Sequence, residues 1–117
     1  MTAEGLLKWM QHLFVEQTLL SPSLLETMLT PRSVNTFKGY RCGFGLGMFC
    51  LESLTGHKVY GHQGFAYGAV QGAFWSPETN RLLVSLNGGA DESRRGRLGV
   101  ANLDLINLTL GGSEWIL

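Results

Sequence analysis

Ser76-Pro77-Glu78-Thr79-Asn80 lies between two apolar runs, residues 69–75 and residues 81–87, and this stretch restricts the fold more than any other in the chain. Proline, asparagine and small hydroxyl residues are the chemistry of a tight turn, and the flanking runs are rich in β-formers, so the three together predict an antiparallel hairpin. A hairpin cannot bury both faces alone. The rest of the chain must supply further strands and at least one covering layer.

Upstream, residues 58–64 predict another strand, and residues 40–51 alternate with a period of two. Tyr40, Cys42, Phe44, Leu46, Met48 and Cys50 fall on one side, and Arg41, Gly43, Gly45, Gly47 and Phe49 on the other. Read as one strand, that stretch has a flat glycine face, which calls for close packing or a neighbouring backbone. It would also hold Cys42 and Cys50 roughly 26 Å apart, too far to bridge, which leaves two buried reduced thiols.

Helices are predicted over residues 3–14 and 22–30. The first is capped by Thr2 and carries an apolar face of Leu6, Leu7, Met10, Leu13 and Phe14, with Glu4 and Lys8 one turn apart. The second starts at Ser21-Pro22, carries Leu24, Leu25, Met28 and Leu29, and is stopped by Pro31. A third helix is predicted over residues 98–110, ended by Gly111-Gly112. The expected fold is therefore α+β: a single domain over residues 1–117, with an antiparallel meander of about four strands, two N-terminal helices and one C-terminal helix.

The chain has 117 residues, 44% hydrophobic and 15% charged, with nine basic and nine acidic side chains. That balance offers no electrostatic handle for nucleic acid. It also does little to hold copies apart, so a homo-oligomer or a partner chain is expected. No apolar run approaches the ~20 residues of a membrane span, and no signal-peptide pattern opens the chain. The three histidines and two cysteines lack metal-ligand spacing, so neither metal nor cofactor is expected. His12 and His57 read as surface residues. Arg94, Arg95 and Arg97 read as a solvated loop beside Gly88-Gly89.

Five stretches, taken in order, resemble the C-terminal portion of the penicillin-recognising serine hydrolases, the family of class C β-lactamases, D-alanyl-D-alanine carboxypeptidases and related esterases. They are Thr2-Ala3-Glu4 leading into Leu7-Lys8-Trp9-Met10; Leu20-Ser21-Pro22 with Met28-Leu29-Thr30-Pro31; residues 40–47 with their alternate glycines; Gly61-His62-Gln63-Gly64; and Ser76-Pro77-Glu78-Thr79 followed by Leu83-Val84-Ser85-Leu86-Asn87. The resemblance implies a partial β-lactamase/transpeptidase-like fold, with His62-Gln63-Gly64 as the family's third motif on a strand lining the active site. It further implies that His62 supplies positive potential and hydrogen bonding and that Gln63 touches substrate. Gly64 would let the substrate approach, and the backbone N–H of Phe65 would be one oxyanion-hole donor. The substrate class implied for the complete enzyme is a peptidoglycan-like amide, a β-lactam or an ester. Such enzymes often act outside the cytoplasm.

Two departures accompany the likeness. Gln63 stands where Thr or Ser is common, which weakens the expectation of a D-alanine-type carboxylate. No serine here is followed three places on by lysine, and no tyrosine opens the second motif, Tyr-x-Asn or Tyr-x-Ser. The expectation is a segment that begins just before its first helix, with one wall of an acyl-transfer site, no nucleophile, and no activity alone. A stand-alone binding or self-assembly module derived from that family is the alternative. A triad of Ser85, His62 and Asp91 has only the chain order in its favour.

Overall fold

The structure is a computed structural model that describes residues 2–37, 40–53, 56–66 and 69–88. The predicted helix over residues 98–110, the arginine cluster and Asp91 lie outside those residues. What is described is α+β, with two helices and one six-stranded antiparallel sheet.

Thr2 opens helix α1 (Ala3–Met10) as its sequence predicts, its hydroxyl accepting the Gly5 N–H at 3.0 Å. Lys8 reaches back to Glu4 at 3.4 Å on the exposed side. At Gln11 the helix widens into one π-helical turn (Gln11–Val15), with the Glu16 N–H bonded to the Gln11 carbonyl at 2.9 Å. Met10, Leu13 and Phe14 are all buried within this stretch. Helix α2 (Pro22–Leu29) is capped by the Ser21 hydroxyl, which accepts the Leu24 N–H at 3.3 Å. Its buried stripe is narrower than the periodicity suggests. Leu25 is enclosed and Met28 and Leu29 are half-buried, but Leu24 stands 56% exposed.

The strands are β1 (Ser33–Phe37), β2 (Tyr40–Phe44), β3 (Phe49–Glu52), β4 (Lys58–Ala66), β5 (Ala69–Ser76) and β6 (Arg81–Asn87), and they neighbour one another in chain order. The last hairpin forms where the turn residues place it, with Ser76 opposite Arg81 and Asn80 in the left-handed region at φ 54°. The Trp75 indole N–H donates to the Asn80 side chain at 3.2 Å and fastens the turn to the strand.

Six strands replace the expected four for two reasons. β1 is only five residues long, and Ser33 and Asn35 interrupt its β-formers Val34, Thr36 and Phe37. Residues 40–51 are two strands rather than one, folded about Gly45 to Met48 with Phe44 opposite Phe49. The alternate glycines are not one flat face but two close contacts and a turn. Gly43 lies under the Pro31 ring, Gly45 is pressed against the Met28 carbonyl, and Gly47 turns the corner at φ 73°. The Leu46 N–H donates to the Met28 carbonyl at 2.9 Å, so the corner of this hairpin also ends α2.

Folding back also changes the relation of the cysteines. Cys42 faces Leu51 and Cys50 faces Gly43, so the thiols sit on neighbouring strands one register step apart. Successive residues point to opposite faces, so the two remain free because the sheet lies between them.

On one face, Met10, Leu13, Phe14 and Leu25 pack on Trp75, with Tyr60, Ala73, Leu82 and Val84 around them. On the other, Leu51, Val59 and Phe74 form a second cluster with Cys42 and Leu83. Among the described residues no helix is long and apolar enough to cross a membrane.

If residues 45–48 are a hairpin corner, adjacent glycines have unequal roles. Gly45→Ala drives a methyl group into backbone and is expected to cost about 2–3 kcal/mol, whereas Gly47→Ala bears only the left-handed penalty of about 1 kcal/mol. Urea unfolding of the two variants checks this, and a continuous strand would make them equal.

Candidate functional site

β4 carries the His62-Gln63-Gly64 motif into the middle of the sheet. Gly61, just before it, is required by packing, since a Cβ there would collide with the Ala73 carbonyl and with Phe74 on β5. β3 gives out at this point: its last pair with β4 is Phe49 opposite Gly61. From residue 62 to residue 66, β4 keeps β5 on one side and has no described strand on the other. Alternate residues of that length turn their N–H and C=O groups toward the open edge.

His62 is exposed, with its ring stacked on Phe49 at 4.4 Å. Gln63 is half-buried. Gly64 differs from Gly61, because a Cβ added there meets nothing within 4 Å. The Phe65 backbone lies opposite Val70 in the β4–β5 ladder. His62 and Gly64 border a hollow of about 220 Å³ closed by Leu6 of α1 and by Gln71, Gly72 and Ala73 of β5. A second hollow, about 360 Å³, runs from Leu6 and Gln71 to Leu86 and Asn87. The two share Leu6 and Gln71. Sequence reasoning missed both residues, although Gln71 is opposite Gly64 and follows from the hairpin register once that is fixed.

A different polar constellation lies at the other end of the sheet, around a histidine expected at the surface. His57 is only 6% exposed. Its Nδ1 is 2.8 Å from a Glu78 carboxylate oxygen and its Nε2 is 3.4 Å from the Ser76 hydroxyl. The backbone N–H of His57 donates to the Ser53 hydroxyl at 3.1 Å. The atoms run carboxylate, imidazole, hydroxyl, the sequence found in a hydrolytic triad. Ser76 is fully buried and also accepts the Thr79 N–H, so its oxygen has no approach for a substrate. The network is a clasp joining the turn after β3 to the turn between β5 and β6. Chain separation hid it, because Ser76 and His57 are nineteen residues apart.

The remaining titratable cluster holds its protons. Burial pushes the Cys50 thiol up, although a hydrogen bond from Tyr60 opposes the shift. Tyr60 is pushed up to about 12, first by burial and then by Cys50. Burial and the neighbouring Cys50 likewise raise Cys42. None of the three offers an ionised nucleophile or base near neutral pH. No group of metal-ligating side chains occurs among the described residues. Comparison with protein-family models, with curated proteins and with solved structures finds no match for this chain.

If the Glu78–His57–Ser76 cluster is a clasp, Ser76→Ala strands a buried imidazole nitrogen and is expected to cost about 1–3 kcal/mol in urea unfolding. A fluorophosphonate probe leaves Ser76 unlabelled in the native protein.

Tyr60 sets an alkaline limit. Its unfolded phenol ionises near the ordinary value of 10.0 and its folded one near about 12. The unfolded state therefore loses its proton first, and stability is complete below about pH 10 and falls toward pH 12. Tyr60→Phe flattens that part of the stability profile, which circular dichroism melts across the range can follow.

Proposed function

We propose that this chain is a C-terminal segment of a penicillin-recognising serine hydrolase, in a partial β-lactamase/transpeptidase-like fold, and that it supplies one wall of an acyl-transfer site. The observation that carries the reading is the setting of the motif. His62-Gln63-Gly64 occupies a sheet strand that outruns its neighbour, and it borders a hollow on which Gly64 presents no Cβ. The six-stranded antiparallel sheet with helices packed on one face is compatible with that fold.

In this reading a serine outside the chain attacks the carbonyl of an amide, lactam or ester. The negative charge that develops on the carbonyl oxygen is held in part by the Phe65 N–H, and a donor fixed on a sheet strand stabilises it without reorganising, by about 3 kcal/mol. His62 adds a hydrogen-bonding edge beside that oxygen, steadied by its stack on Phe49. Gln63 contacts the substrate with a neutral amide. Leu6 and Leu86 give the hollows an apolar lining suited to an acyl or lactam ring. In this reading the chain supplies no nucleophile: its serines lack the Ser-x-x-Lys setting, and among the described residues Ser76, which has a histidine and a carboxylate in line, is sealed.

Titration of isotope-labelled protein with benzylpenicillin and with a neutral ester tests this reading. The amide resonances of residues 63–65 are expected to shift, with no mass increase on the protein. Gly64→Val is expected to fold with a melting temperature within about 3 °C of the parent, since its side chain enters open space, and to lose the shifts. A covalent adduct on any serine, or shifts confined to residues far from β4, would overturn the proposal.

A further inference from the structure

β6 ends the sheet, and its outer side has no partner among the described residues. Natural sheets protect such edges with charge, proline or brevity. The opposite edge follows that rule: β1 has five residues, preceded by Pro31 and Arg32 and followed by Lys38. β6 does not. It has seven residues, and after Arg81 it continues Leu82, Leu83, Val84, Ser85, Leu86, Asn87, with no charge and no proline. Leu82, Leu83 and Val84 are half-buried and Leu86 is 46% exposed.

We infer that the outer edge of β6 is a self-pairing surface and that its occupant is β6 of a second copy of this chain, antiparallel about a two-fold axis at Val84. The sequence is complementary to its own reverse in that register. Val84 meets Val84, Leu83 meets Ser85, Leu82 meets Leu86 and Arg81 meets Asn87. Apolar side chains are opposed on the face of Leu82, Val84 and Leu86, the other face pairs Leu83 with Ser85 and Arg81 with Asn87, and no like charges meet. A two-fold operator gives a closed isologous contact rather than a fibre, because pairing consumes the edge on both copies. Balanced net charge adds no long-range repulsion. The contact is a single ladder and buries less than a standard interface, so its strength falls on the order of 100 µM. The inference uses neither His62 nor the hollow beside it; Leu86 and Asn87 also border the second hollow, so its readout is the mass of the assembly rather than ligand binding.

Sedimentation equilibrium of the intact chain over about 10 µM to 1 mM tests it. A monomer–dimer equilibrium is expected. Asn87→Asp places an anion opposite the partner copy's Arg81 at both ends and is expected to tighten the dimer about threefold or more, while Asn87→Lys weakens it by a similar factor. Val84→Cys under mild oxidation is expected to give a disulfide-linked dimer that mass spectrometry maps to residue 84 of both copies. A monomer throughout the range would overturn the inference. So would a dimer that neither Asn87 variant alters, or one whose cross-link requires residues 89–117, which would show that another segment of the chain occupies this edge.

Discussion

Phe14 and Trp75 stack nearly parallel, 8° between planes and 5.0 Å between ring centres, and this contact joins the helical layer to the sheet. Each ring is nearly inaccessible to water, and each is held in place from its own side. Phe14 is placed by the π-helical turn, and Trp75 by its indole bond to Asn80 and by Tyr60 at 5.9 Å. Aromatic pairs of this kind contribute about 0.5–1.5 kcal/mol beyond the area they bury. Their larger effect is geometric. Fixing Trp75 fixes the register of β5 against β4, and that register places Gln71 opposite Gly64 and Ala73 opposite His62.

Features with a local cause were legible in the sequence. Both helix starts followed from a hydroxyl cap, and in the second case from proline in the first turn. The β5–β6 hairpin followed from its turn residues. Features decided by contacts distant in sequence were not legible. Nothing near Gly45 announces that the Met28 carbonyl will lie against it, so the alternation over residues 40–51 matched a strand as well as a hairpin. His57 gave the same difficulty in polar form. Its neighbours in sequence belong to a turn, but its partners Ser76 and Glu78 come from another turn entirely. The candidate site was legible as a motif, His62-Gln63-Gly64, but its walls were not, because Leu6 and Gln71 reach it through helix packing and strand register.

The two histidine environments separate what is built for support from what is available to a ligand. His57 is enclosed, paired with a carboxylate and set against a hydroxyl, and every atom that would make it reactive is committed to holding two turns together. His62 is exposed and lies where the sheet loses one of its strands. The glycines mark the same division. Adding a Cβ at Gly61 would force β4 and β5 apart, whereas adding one at Gly64 disturbs no protein atom. A glycine that its own fold does not need is a weak position in a strand, by about 0.5–1 kcal/mol relative to alanine. Stability alone therefore gives no reason for glycine at residue 64, while at Gly61 the packing supplies that reason in full. A ligand that must approach the backbone of β4 would supply the missing reason, and it would do so on the stretch where the strand edge is open.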